Sequence, residues 1–360
     1  MELFGVSGYL SKADAAAGAQ TYGMNLKLTD AGETAAWNLN NGWNGDVRTF
    51  TGMVCGTGTL NRNHYRGTEQ TLIFAGDVSG WSGALEHNAT SATNNGQKVK
   101  TNVTFNGSSE INVAMRTNGK GELNVTLDDA NLAAGSKVTV NSAIEATNLT
   151  VTEGTTVCLA NAVELSNGVV LKSQSSSPAE LSGVDVSASV LAGNGSTARL
   201  ADVWMEGLAE AYGIRDVAMQ NVHFSAGLAT LSLSNVSFDD SCSFSVGADG
   251  IIILSDAMLQ VTMPAENSGR SELLVNLGSL FQFHVQGELS INLDAATLLA
   301  AGYTTVKMDF GQNAAEDYSQ LLLKLDGAAY TGMSGNVASF NLVPEPATTT
   351  LSLLALTTLA

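Results

Sequence analysis

Between residues 99 and 171 apolar side chains fall on alternate positions of short runs. Val103 and Phe105 alternate in VKTNVTF, Ile111 and Val113 in EINVAM, and Leu123, Val125 and Leu127 in ELNVTL. Val138 and Val140, Leu149 and Val151, Val157 and Leu159, and Val169 and Leu171 continue the series. A period of two predicts strands with one buried face. Asn-Gly, Asp-Asp, Gly-Ser and Glu-Gly pairs separate the runs, and such spacing of strands and turns predicts an all-β fold.

The pattern resumes over residues 221–263 with Leu231 and Leu233, Val236 and Phe238, Phe244 and Val246, and Ile251 and Ile253 as the expected inward pairs. Its persistence with turns of a few residues favours coils that stack on one another around a continuous apolar column. The expected fold is therefore a right-handed parallel β-helix (a β-solenoid) with a C-terminal cap. A tandem β-sandwich is the alternative that the same strand spacing fits. One helix is predicted in LDAATLLAAGYT, with Asp294 as N-cap, Leu298 and Leu299 as its apolar patch, and Gly302 at C′. The following TTVKMDF, SQLLLKL and GNVASFNL are expected to form an antiparallel cap that covers the last coil. This divides the chain into an N-terminal β-strand repeat region (1–98), a solenoid (99–290), a helix with a small antiparallel β cap (291–342) and a terminal segment (343–360). The stretch SQSSSPAE, residues 173–180, is expected as a loop or coil insertion.

Length agrees with an elongated or divided fold. At 360 residues the chain exceeds the roughly 250–300 residues that one compact core serves. Charged residues make up 14%, against about 25% in an ordinary soluble domain, so Asn, Ser, Thr and Gly must supply the polar surface. The 37 glycines suit turns and disfavour helices. With 16 basic and 34 acidic residues the net charge is −18, which repels nucleic acid and anionic membrane surfaces.

Candidate chemistry is sparse. Cys55, Cys158 and Cys242 show no CxxC or metal-like spacing and read as small core or surface residues; an oxidising compartment leaves one long-range disulfide open. His64, His87, His223 and His284 form no HxH or HExxH, so no metal site is expected, and His223 and His284 lie on the face opposite their apolar neighbours. Asp128-Asp129 and Asp239-Asp240 read as turn residues, because adjacent strand residues point to opposite faces and cannot converge. No GxSxG occurs, and GTGTL lacks the lysine of a phosphate loop. No cofactor is implied. Asn-x-Ser/Thr at Asn88, Asn102, Asn106, Asn124, Asn148, Asn194 and Asn235 reflects an Asn/Thr-rich β composition, with glycan attachment the lesser reading. Trp37, Trp43 and Trp81 read mainly as packing residues, with a sugar-stacking surface as the alternative.

Two segments resemble known families. Residues 56–86 carry Gly58-Thr59-Leu60, then Leu72, Phe74, Gly76 and Asp77, then Trp81-Ser82-Gly83 and Leu85. This frame resembles the autotransporter-associated β-strand repeat of secreted β-helix passengers of Gram-negative bacteria, matched once over about thirty residues. The tail VPEPATTTLSLLALTTLA is similar to the PEP-CTERM sorting signal: Val343, Pro344, Glu345, Pro346 and Ala347 match the motif, and Leu351 to Leu359 the apolar helix. Pro-Glu-Pro fixes two φ angles and ends the preceding strand. The 14 residues from Ala347 would span about 21 Å as a helix, short of the roughly 30 Å of a bilayer core. The family's arginine cluster is not found before Ala360, and MELFGVSGYLSKADAAAG lacks the basic n-region of an export signal. Both are expected to lie beyond the ends of this sequence.

The resemblance implies export to the cell envelope, outer surface or medium, and processing by an exosortase-type membrane protease near Pro-Glu-Pro after transient membrane contact through the apolar segment. The expected function is a non-catalytic structural or adhesive passenger, with a glycan or matrix component as its open ligand. A polysaccharide-active β-helix enzyme, lyase or glycosidase, is the rival, and a matrix glycoprotein without a single ligand is a third reading. Stacked carboxylates on one face would favour the enzyme; an Asn/Ser/Thr-lined face would count against it.

Overall fold

The computed structural model describes residues 2–3, 19–29, 36–38, 45–63, 69–172, 179–183, 186–188, 190–193, 198–207, 210–227, 229–261, 269–278, 280–281, 284–311 and 321–342. The described chain is almost entirely β-strand with one short helix, an all-β fold. Twenty-five strands join one assembly whose pairings are parallel, which excludes the antiparallel sheets of a sandwich. Most strands pair with the second or third strand further along the chain, and three faces result. Glu122–Leu127 lies on the first, Lys137–Val140 on the second, and residues 144–146 of Ile144–Val151 on the third; the rest of that strand returns to the first, beside Glu122–Leu127. One contiguous core runs between the faces.

The predicted inward pairs are buried, with one correction. Ile252 and Leu254 enter the core, at 0% and 2% exposure, while Ile251 and Ile253 are half-buried. A run of isoleucines carries no alternation. Its register comes from the neighbouring strand, where Leu231 and Leu233 pair with Ile252 and Leu254. Aromatic rings stack in the core near the N-terminal end: Tyr22 on Phe50, Phe50 on Phe74 and Phe74 on Phe105, with centroids 5.2, 5.2 and 5.1 Å apart.

The corners between faces have a local cause. Asp202, Asp216, Asn221, Asn235 and Asp256 adopt φ between 50° and 57° within or beside long strands. Asp and Asn tolerate this left-handed conformation better than other non-glycine residues. Each turns the chain from one face to the next, and the corners bond to one another. Asn221 Nδ2 donates to Asp202 Oδ1 at 2.7 Å, and Asn235 Nδ2 to Asp216 Oδ1 at 2.8 Å.

The stack crosses residue 98 without a break, since Glu69–Phe74 pairs with Lys100–Phe105 residue for residue. At the C-terminal end Asp294 caps the helix Ala295–Ala300, accepting from Ala296 N and Thr297 N, and Gly302 follows with φ 92°. The cap differs from expectation. Leu321–Leu325 extends the parallel assembly beside His284–Asn292. The separate four-stranded sheet is mixed: Glu272–Asn276 pairs in parallel with Thr305–Asp309, and Val337–Leu342 and Ala328–Ser334 add antiparallel strands. SQLLLKL alternates like its antiparallel neighbours, so pattern alone assigned it to the wrong sheet. The stretch 173–178 lies outside the described residues.

Candidate functional site

Val343, Pro344, Glu345, Pro346 and Ala347 lie outside the described residues, as do Trp43, His64 and the side chain of Trp37. The other singled-out residues have clear places. Leu60, Leu72, Phe74, Trp81 and Leu85 are core residues exposed by 2% or less. Trp81 Nε1 donates to the Gly58 carbonyl at 2.8 Å, so its indole packs and does not face a ligand. The motif glycines sit where stacked turns touch: a Cβ on Gly76 would lie 2.2 Å from Gly52 O, and one on Gly83 2.1 Å from Gly58 O. Asp77 accepts from Ser79 N at 2.9 Å and Ser108 Oγ at 3.0 Å. The Ser79 amide bond, aided by the Ser79 and Ser108 hydroxyls, holds its carboxyl below the ordinary carboxylate range. These residues build a turn.

Both aspartate pairs are likewise turn residues: Asp128 Oδ1 accepts from Ala130 N at 3.1 Å and Asp239 Oδ1 from Ser241 N at 3.1 Å. The three cysteines are free thiols. Burial pushes the Cys242 thiol up to about 11. His87 is fully buried between Thr101 Oγ1 (2.8 Å) and the Lys120 carbonyl (3.1 Å). Its Nε2 therefore carries the proton donated to that carbonyl, and desolvation lowers its basicity. Among the described residues no group of three or more His, Cys, Asp or Glu is placed to hold a metal ion, and no helix is long and apolar enough to cross a membrane.

Stacking converts single outward positions into rows. On the first face Asn124 Nδ2 donates to Asn102 Oδ1 at 2.9 Å, Asn148 Nδ2 to Asn124 Oδ1 at 2.8 Å, and Asn167 Nδ2 to Asn148 Oδ1 at 2.7 Å. Asn102 Nδ2 ends the chain on the Glu69 carboxylate at 2.8 Å. All four amides point the same way, so their dipoles add and terminate on a charge. Thr104, Thr126 and Thr150 stack two residues further on. The sequons at Asn102, Asn124 and Asn148 are thereby explained: Asn and Thr are the outward residues on either side of one inward Val or Leu.

The third face carries a different row. Glu86 pairs with Arg116, Glu145 with Glu164, Glu164 with Ser187, Ser187 with Glu206, and Glu206 with Ser225. Neighbouring strands lie about 4.8 Å apart, and like charges directly opposite each other are destabilising by up to about 1 kcal/mol. The carboxylates of Glu164 and Glu206 have no ion pair or hydrogen bond among the described residues.

Two residues before Glu206, and on the same face, stands Trp204. It lies between inward Val203 and Met205 and is 43% exposed. Its indole stacks on the His223 imidazole, centroids 5.4 Å apart and planes at 25°. His223 is fixed in turn by Ser243 Oγ at 2.6 Å and Asn221 Oδ1 at 2.9 Å. The outward placement of His223 expected from VHF is right, but the ring is half-buried, because Trp204 covers it. A groove of about 630 Å³ opens here, lined among others by Glu164, Trp204, Glu206 and His223. A tryptophan side chain offers 150–250 Å², so this exposure leaves roughly 60–110 Å², worth about 2 kcal/mol to a ligand that covers it. Trp204 is the one tryptophan not among the expected packing or stacking residues; the signal for it is its outward place in Asp-Val-Trp-Met. No protein-family model, curated protein or solved structure matches this chain.

Proposed function

We propose that the chain is an exported, non-catalytic structural or adhesive protein of the cell envelope, whose parallel stack is a right-handed β-helix acting as a rigid shaft. The observation that carries this reading is the conversion of outward positions into long bonded rows, above all the Glu69–Asn102–Asn124–Asn148–Asn167 ladder. Such rows stiffen the shaft and offer a flat polar face. Export rests on the Pro-Glu-Pro segment and on the likeness of residues 56–86 to passenger repeats. In this reading an exosortase-type protease cuts near Val343–Ala347, and the apolar tail contacts the membrane only until then. Fractionation of the native host with mass spectrometry of the C-terminus tests it. A surface or secreted protein ending near Pro346 is the expected result; a cytoplasmic protein with Ala360 intact overturns it.

A polysaccharide-cleaving activity is favoured by one observation, the register pairing of Glu145 with Glu164. Strand neighbours are separated by about the 5 Å that retaining glycosidases place between their two carboxyl groups. Reducing-end release from a panel of polysaccharides, abolished in Glu164→Gln, would establish that activity. No release from any member would dismiss it.

A further inference from the structure

We propose that the Trp204 groove is a binding site for a glycan bearing free amino groups, with one pyranose ring lying on the indole. The inference names the ligand of the adhesive reading and rests on it only for biological setting, since the groove can be tested in purified protein. Three observations meet here. Trp204 is a large apolar plane left 43% exposed. The plane is held in advance, because its stacking partner His223 is bonded to both Ser243 and Asn221. A ligand therefore meets a platform whose ordering cost has already been met. The C–H face of a pyranose is the natural complement of an aromatic plane, while its hydroxyls need polar neighbours at the ring edge; Ser225, Ser243 and Ser245 supply them.

Charge selects among glycans. Glu206 stands two residues from Trp204 on one strand, about 7 Å along it. Glu164 lies two strands away on the same row, with Ser187 between. Neither carboxylate is neutralised by a neighbour among the described residues. They attract a sugar ammonium and repel uronate or sulfate, as does the net charge of −18. The strand spacing of about 4.8 Å is close to the length of one sugar in an extended chain, so successive units can follow successive strands along the shaft.

The test uses the full purified chain and three probes: a glucosamine oligomer, its fully N-acetylated counterpart and a galacturonate oligomer, titrated by calorimetry. The glucosamine oligomer is expected to bind best and the galacturonate oligomer not at all. Trp204→Ala should weaken glucosamine binding by at least about tenfold, with Trp204→Phe intermediate. Glu164→Gln with Glu206→Gln should weaken it about tenfold and leave N-acetylated binding unchanged. Circular dichroism of each variant excludes unfolding. Failure of the glucosamine oligomer to bind, equal binding by the Trp204→Ala protein, or preference for galacturonate would each overturn the site. Retention of a host surface protein on the wild-type face in place of all three glycans would also overturn it. Localisation is decided by the C-terminal mass, so the two readings can fail separately.

Discussion

Replacing Asn124 by alanine removes the middle of the first-face ladder. Asn124 both donates to Asn102 and accepts from Asn148, so the change deletes two hydrogen bonds and leaves Asn102 Oδ1 and Asn148 Nδ2 facing a gap. A net hydrogen bond is worth about 0.5–1.5 kcal/mol. These groups are half-buried, so water recovers part of the loss, and the expected cost is about 1–2 kcal/mol. Asn167→Ala removes the Nδ2 bond to Asn148 Oδ1 at the exposed end of the row, and loss of that ladder bond should cost about 0.5 kcal/mol. Position in the row, and not residue type, thus sets the cost. Urea unfolding followed by far-UV circular dichroism measures both, with the slope checked because stacked strands need not unfold in one step. The double variant Asn102→Ala/Asn124→Ala should be less destabilised than the sum by about 0.5–1 kcal/mol, since the two share one bond. Equal costs at 124 and 167, with additive behaviour at 102 and 124, would show that the ladder is decorative and remove the support it lends to a stiffened shaft.

Three further outcomes follow from buried positions. His87 is kept neutral by desolvation, with Arg62 also opposing its charge; the unfolded chain therefore takes up its proton first as pH falls below about 6.5. Stability should decline from that point toward the lowered folded value, and urea midpoints across pH 7 to 5 should show a flatter slope in His87→Gln; parallel slopes would count against the assignment. Gly83→Ala places a Cβ against the Gly58 carbonyl and should cost about 2–3 kcal/mol, whereas Gly213→Ala meets nothing within 4 Å and should stay within about 0.5 kcal/mol. Thermal melts compare the two, and equal shifts would refute the close-approach account. Cys242, with its thiol raised to about 11, should alkylate with iodoacetamide more slowly in the native protein than Cys55 or Cys158; equal rates by peptide mapping would contradict its burial.

The core was legible because packing imposes a rule on every inward residue. Leu123, Val125 and Leu127 announce their face by alternation alone, and all three are buried. Where that rule is silent the reading slipped. Ile251 to Ile253 has no alternation, and its register is set by Leu231 and Leu233, twenty or more residues upstream. The corners were written plainly but not recognised. Leu200 to Met205, Ile214 to Met219, Met219 to Phe224, Leu233 to Phe238 and Leu254 to Leu259 share an apolar residue, an Asp or Asn two places on, a Val or Ala next and an apolar residue last. In each, the third residue has positive φ. An Asp or Asn inside an otherwise good strand looks like a blemish until the bend it permits is known.

The site was illegible for the opposite reason. Outward residues obey no packing rule, so the meaning of each depends on what stacks beside it. Glu145 and Glu164 are 19 residues apart in sequence and become neighbours only through register. Trp204 becomes a supported plane only because His223 occupies the paired position on the next strand. The same geometry has opposite electrostatic results on the first and third faces. On the first, each amide donates to its neighbour along the row. On the third, the carboxylates of Glu164 and Glu206 find no complementary partner among the described residues, and the indole is only half covered. A parallel stack amplifies whatever occupies an outward position. Where that residue bonds to its own kind the product is a stiff wall, and where it repels its own kind the product is a surface that gains from binding something of opposite charge.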